Sequence, residues 1–157
     1  MKIVIPFLGK TKANFLHTGI EEYLQRLRHY TEVEVPVVRT VQDRKRSEEA
    51  IREAEAQLLM SKVISSGNTV LVALDPLGAS MDSPGLAALI AQWRDQGVGT
   101  VNMLIGGHLG LHHALVQQSG KVVSLSALTF THEMTRLILL EQLYRAYTIL
   151  AGQKYHK

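Results

Sequence analysis

The chain has 157 residues, 46% of them hydrophobic and 20% charged, with a formal net charge of +3. That length suits one domain with a sizeable core, no apolar run reaches the roughly twenty residues needed to cross a bilayer, and the absence of cysteine excludes disulfides and thiolate metal sites. The missing cysteine suits a cytoplasmic home, and the basic excess permits a polyanionic partner without requiring one.

The first eight residues are charged, then apolar, but too short for a secretory signal, so residues 2–7 are expected to form the first strand. Residues 15–30 place Phe15, Ile20, Tyr23, Leu24 and Leu27 on one side of an amphipathic helix. Residues 33–38 are β-branched, yet Pro36 cannot donate a ladder hydrogen bond, which puts this strand at an edge or ends it early. Ser47 is the expected cap of a helix running to about residue 63, with Glu48 and Glu49 in its positive first turn and Ala50, Ile51, Ala54 and Leu58 as its stripe. Residues 69–74 are near-continuously apolar, as a central parallel strand requires, and Asp75-Pro76-Leu77-Gly78 is expected to close it. Ser83 and Pro84 predict an N-cap and first helical position, with Leu86, Leu89, Ile90 and Trp93 buried and Gly97 as the stop. A strand at 100–105, a helix at 111–118, a strand at 121–125 and a last helix from 131 to about 150 complete the order. Five strands alternating with helices predict an α/β fold with a parallel sheet covered on both faces. General topology rules would leave that sheet open and doubly wound.

Several groups of residues carry possible chemistry. Gly106, Gly107 and Gly110 follow an apolar strand and precede a helix, where glycines allow close backbone approach to a ligand or merely a tight turn. No Lys-Ser/Thr pair follows them, so this is not a phosphate loop, and it comes too late in the chain for a dinucleotide fingerprint. Residues Leu125, Ser126, Ala127, Leu128, Thr129 and Phe130 repeat the strand-to-helix pattern; they read first as a strand end, loop and cap approach, and second as apolar walls with main-chain polar groups suited to a nucleoside. Lys10 and Lys12, Arg26 and Arg28, and Arg44-Lys45-Arg46 are local basic clusters. Arg145 follows Glu141 by four residues, an ordinary helix-surface pair or a substrate anchor. The histidines form no metal-ligand motif, so no metal is expected. Tyr155, His156 and Lys157 form a tail with little reason to support the core. From the residues alone, an RNA- or ribosome-binding module without turnover and another Rossmann-like nucleotide-dependent enzyme stay open; the glycine edge weighs against the first and the missing early fingerprint against the second.

Leu104-Ile105-Gly106-Gly107, Gly110-Leu111, residues 125–130, His132, Glu141-Gln142-Leu143-Tyr144-Arg145-Ala146 and the terminal Tyr155-His156-Lys157 together resemble the SPOUT methyltransferases, specifically the small pseudouridine N3-methyltransferases of the ribosomal large subunit. The resemblance spans essentially the whole chain. It departs at His108-Leu109, where many relatives carry Pro-Glu or another polar pair. It implies a single domain over 1–157 with a C-terminal trefoil knot, the knotted cofactor-binding region covering about 70–157. It further implies S-adenosylmethionine bound by Leu74, Gly106, Gly107, Gly110 and Leu125 through Phe130, and a homodimer with Leu137, Ile138, Leu140, Leu143 and Ile149 of the last helix at its interface. The substrate implied is N3 of a pseudouridine in the 23S rRNA stem-loop that meets the small subunit, helix 69. Arg145, Tyr155 and His156 are the implied catalytic residues, Lys157 an implied RNA contact, and Lys10 and Lys12 weaker candidates for distant phosphates. A valine at Gly106 is expected to weaken cofactor binding and, if the residue's value is chiefly functional, to leave secondary structure largely intact.

Overall fold

A computed structural model describes residues 1–41 and 45–156, except the side chain of His156. Arg44, Lys157 and the His156 side chain, all named above, lie outside the description. Five strands form one wholly parallel sheet in the order β3-β1-β6-β5-β7, from β1 (Lys2–Val4), β3 (Glu32–Glu34), β5 (Thr69–Ser80), β6 (Thr100–Ile105) and β7 (Lys121–Ser124). The expected five-stranded parallel sheet is what forms.

The first strand, expected over residues 2–7, is interrupted. β1 and a separate two-residue β2 (Phe7–Leu8) flank Ile5-Pro6, just as β3 and β4 (Val37–Val38) flank Val35-Pro36. Neither proline can donate to a ladder, so one long pair becomes two short ones. The Ile5 amide donates to the Glu34 carbonyl at 2.8 Å and the Phe7 amide to the Pro36 carbonyl at 2.9 Å, carrying the chain across the break. β3 lies at the sheet edge, as Pro36 suggested.

Period-two alternation along β6 divides the core. Val101, Met103 and Ile105 face α1 (Asn14–Leu27), α3 (Ser83–Asp95) and α5 (His132–Leu150), while Leu104 packs on the opposite side with Leu59 of α2 (Glu48–Met60) and Leu115 of α4 (His113–Gln118). Buried Asn102 escapes an unsatisfied-amide penalty by bonding both the amide and carbonyl of Ile64 at 2.9 Å.

Several boundaries move for local reasons. Ser47 does cap α2 by accepting from the Ala50 amide, but the buried positions are Glu55 and Leu59 rather than the expected stripe. Asp82, not Ser83, caps α3, because its carboxylate reaches the Gly85 amide at 2.8 Å; Ser83 and Pro84 are then the first two helical residues. α4 starts at His113 rather than 111, since the His112 ring accepts from the Ala114 amide. Phe15 sits outside the buried face of α1, which is built on Leu16, Ile20, Leu24 and Leu27. β5 does not stop at Asp75: it continues to Ser80, with an irregularity between Leu74 and Ala79 where it pairs with β7. Gly78 permits this, because a Cβ there would come within 2.7–2.8 Å of the Val122–Val123 backbone.

α5 packs against α1 and α3 and has no fully exposed residue. Leu140 and Leu143, expected at a dimer face, are completely buried within the chain itself. Among the described residues, no helix is long and apolar enough to cross a membrane.

Candidate functional site

Leu74 is paired with Ile105 on one side and Val123 on the other, so the continuations of β5, β6 and β7 emerge beside one another. The first candidate group is thereby brought together: Leu74, the loop of Gly106, Gly107 and Gly110, and residues 125–130. Gly107 and Gly110 close a tight turn through a 3.1 Å amide-to-carbonyl bond, and Gly110 adopts φ +81°, a left-handed conformation natural to glycine. Gly106 is needed for a different reason. A side chain there would collide with the backbone of Gly110 and Leu111.

The third loop is organised by short polar links. Ser124 donates its hydroxyl to the Ser126 carbonyl at 3.0 Å, the Ser126 hydroxyl accepts from the Leu128 amide at 2.9 Å, and Thr131 caps α5 at the Met134 amide. These bonds hold Leu128 outward with 73% of its surface exposed, and Leu77 of the neighbouring β5 extension is 97% exposed. Half-buried Leu74 and Leu125 line the base of the same edge. The residues fit an adenosine-bearing cofactor: close-packed backbone with no side chain at Gly106, and apolar side chains awaiting a cover.

Beside the glycine turn lies a cavity of about 280 Å³, lined by Leu8, Gly9, Lys10, Lys12, Thr40, Val41, Glu55, Gly107, His108, His132 and Glu133. Lys10 and Lys12 therefore stand next to the glycine loop. Glu133 accepts from the Lys12 and Ala13 amides; burial alone would push its carboxyl up, but those bonds and Arg136 hold it below the usual range. Burial, reinforced by Arg136, lowers the His132 imidazole. Glu55 is 3% exposed, its Oε2 has no hydrogen-bond partner, and burial raises its carboxyl against a smaller opposing pull from His108.

Sequence reasoning missed both Glu55 and Arg136. The available signal was a charged residue on an apolar helical stripe: Glu55 precedes buried Leu59 by one turn, and Arg136 precedes buried Leu140. Arg136 is 1% exposed, donates to the Leu8 carbonyl and the Thr11 hydroxyl at 2.5 and 2.9 Å, and lies 4.5 Å over the Phe7 ring.

The second candidate group assembles elsewhere. Arg145 bonds Glu141 through Nε and Nη2 at 3.0 and 2.5 Å and lies 4.9 Å over the Tyr155 ring. That ring meets Tyr144 edge-on at 4.8 Å, and its hydroxyl lies 3.2 Å from that of Tyr23. Tyr30 joins Tyr144 and Tyr147 at 6.0 Å each, so all five tyrosines of the chain form one cluster. Burial raises the Tyr155 phenol, aided by Tyr23 and Glu141, so it stays protonated near neutral pH. The tail is docked by a short 3-10 turn, Lys154–His156, contrary to the expectation that it supports nothing. Truncation after Lys154 is expected to lower Tm by roughly 2–4 °C for each kcal/mol lost, with each aromatic pair contributing about 0.5–1.5 kcal/mol. Unchanged melting by calorimetry would contradict this docking.

Residues 1–156 match a family model described as "Predicted SPOUT methyltransferase". The chain belongs to the SPOUT methyltransferase family. It is 46% identical to Ribosomal RNA large subunit methyltransferase H of Desulfotalea psychrophila, over 100% of both chains. It is 42% identical to the protein of the same name from Geobacter metallireducens, over 99% of each. The crystal structure of a probable methyltransferase from Bordetella pertussis Tohama I has a TM-score of 0.55 at 15% identity, covering 93% of this chain and 95% of that one, a likeness of fold. The five-stranded parallel sheet with flanking helices is consistent with the SPOUT knot fold.

One cluster in this SPOUT chain has the composition of a metal site. Glu49, His112 and His113 offer ligand atoms within 4.8 Å of one another. The His112 Nδ1 accepts from the Ala114 amide at 3.2 Å, which places the ring proton on Nε2, facing Glu49 at 2.9 Å. In this capped arrangement that nitrogen is a donor, not an open ligand, and the cluster fastens α4 to α2.

Proposed function

We propose that the chain transfers a methyl group from S-adenosylmethionine to N3 of a pseudouridine in the 23S rRNA stem-loop facing the small subunit, helix 69. The observation that carries this reading is full-length likeness, 46% identical over all of both chains, to a protein named for large-subunit ribosomal RNA methylation. Leu74, Gly106, Gly107, Gly110 and residues 125–130 would hold the cofactor within a knotted region of about 70–157 in a single domain spanning 1–157. When bound, it supplies an electrophilic methyl group on a sulfonium.

The chain's own task is to hold the target nitrogen in line, exclude water and relieve N3 of its proton. Arg145 suits an orienting role, because the Glu141 bond raises its pKa further and keeps it a fixed cation. Tyr155, held protonated, suits stacking or hydrogen-bond donation rather than proton abstraction. His156 is the candidate to assist N3–H removal, and Lys157 to hold phosphate. Lys10 and Lys12, lining the cavity, would favour negative charge on the imide or a nearby phosphate.

A homodimer completes this arrangement. Arg145 lies thirteen residues beyond His132, which places it about 20 Å along the axis from the first turn of α5, the end that adjoins the glycine loop. A second protomer can bring its Arg145 and tail to that loop. Exposed Leu77, Leu128 and Phe15 supply apolar surface for such contact. Action on assembled ribosomes would place the reaction in the cytoplasm.

The test uses methyl-labelled cofactor and ribosomes, with the modified nucleoside identified by mass spectrometry. Label at N3 of the pseudouridine is expected from a species that sediments as a dimer, and truncation after Lys154 is expected to abolish transfer while cofactor still binds. RNA binding without transfer would replace this reading with that of a non-catalytic binding module; a fully active monomer would remove the composite site.

A further inference from the structure

We propose that Glu55 is the residue that recognises a pseudouridine target, accepting a hydrogen bond from the N1–H group that uridine lacks. The inference rests on the proposed methylation of pseudouridine and assigns its specificity to a side chain.

Pseudouridine and uridine have the same size and the same carbonyls. They differ at one ring edge: with the sugar attached through carbon, pseudouridine keeps N1–H as a second imino donor. A site that separates the two needs an acceptor out of water's reach, since an exposed acceptor bonds solvent equally well in both cases. Such an acceptor sits in the cavity beside the glycine turn. Among the described residues, Glu55 Oε2 is the buried side-chain polar atom left without a partner. The residue is 97% buried by its 3% exposure and belongs to the cavity lining.

Its surroundings fit a pyrimidine more closely than another occupant. At about 280 Å³ the cavity lies just under the size of ordinary small-molecule sites, roughly 300 Å³ and upward, which suits one base and excludes a dinucleotide. Lys10, Lys12 and His108 stand at its exposed rim, suited to carbonyl oxygens or a flanking phosphate, whereas Glu55 is set inward. Gly107 joins the cavity to the candidate cofactor loop: a Cβ on it would fall 2.5 Å from Glu55 Oε2, so the glycine leaves room for the carboxylate. The terminal torsion of glutamate is soft, and either oxygen can turn toward the cavity. A buried carboxyl group whose Oε2 has no partner, and whose charged form burial disfavours, is costly to the free protein. An N1–H donor would pair it; uridine would leave it unpaired, and a site with a buried partner rejects an analogue that lacks the matching group.

The test compares methyl transfer to ribosomes carrying pseudouridine at the target with transfer to ribosomes left with uridine there, for the parent, Glu55→Gln and Glu55→Met. The parent is expected to prefer pseudouridine by roughly 100-fold in kcat/KM. Glu55→Gln keeps the shape and a weaker carbonyl acceptor, so the ratio should fall about tenfold. Glu55→Met keeps the bulk without the acceptor and should bring the ratio near one, through loss on pseudouridine rather than on uridine. Equal losses on both substrates would assign Glu55 a structural role and overturn the inference. An unchanged ratio in Glu55→Gln would do the same even if the methionine variant failed to fold. A parent active on both substrates without preference would overturn the inference and leave the methyltransferase reading intact, whereas a parent inactive on both would remove that reading and this one together.

Discussion

Arg136→Ala is expected to lose on the order of 3–5 kcal/mol of stability, enough to leave much of the protein unfolded under mild denaturant. The residue is an almost wholly buried cation on α5 whose guanidinium holds the Leu8 carbonyl and the Thr11 hydroxyl and covers the Phe7 ring. Alanine would orphan those partners and open a void under β2, the strand from which the Lys10–Lys12 loop departs. Arg136→Lys should recover little of the loss, because one ammonium cannot reproduce a planar fork engaging two oxygens and a ring face. Urea unfolding measures both; an alanine variant within 1 kcal/mol of the parent would show the contacts to be incidental.

The second large effect is expected at the glycine turn, where two neighbouring glycines should respond very differently to alanine. Gly106→Ala forces a methyl into the backbone of Gly110 and Leu111, which can yield only by opening the turn, and cofactor affinity should fall more than 100-fold with measurable loss of stability. Valine there, expected from the sequence to obstruct backbone approach to the cofactor, would meet the backbone of Gly110 and Leu111 as well. Gly110→Ala meets nothing within 4 Å and suffers only its positive φ, about 1–2 kcal/mol of strain. Calorimetric titration with S-adenosylmethionine separates the two. Comparable affinities in both variants would mean that the packed turn does not shape the binding edge.

Elements whose patterns depend on near neighbours were legible: the apolar β6 run, the Ser47 cap and the Gly97 stop all stand where the residues placed them. Errors arose where distant chain decided. β5 continues past Asp75 because β7 lies against Gly78, and nothing near Gly78 in the sequence announces that neighbour. The shared edge of Leu74, Gly106 and Leu125 was anticipated through resemblance, since the local signals alone also allowed plain turns. Glu55 and Arg136 were passed over because a periodicity reading assigns helix faces by apolar residues and treats a charge among them as solvated. Tyr155 reads in the sequence as part of a loose tail because its holders, Tyr23 and Tyr144, come from two separate helices.

The manner in which α5 seals the core bears on when the protein can become a protein at all. Glu133 holds the Lys12 and Ala13 amides, Arg136 holds Leu8 and Thr11, and Leu139, Leu140, Leu143 and Ala146 join the same core as residues from the first strand and first helix. A nascent chain that still lacks these last segments has its earliest apolar surfaces made and nothing to close them. N-terminal portions of many proteins consolidate while synthesis continues, but here maturation must wait until α5 has been made, and pairings this remote in sequence form slowly. A ribosome stalled before α5 is made would therefore carry not a partly working enzyme but an open, adhesive chain dependent on chaperones.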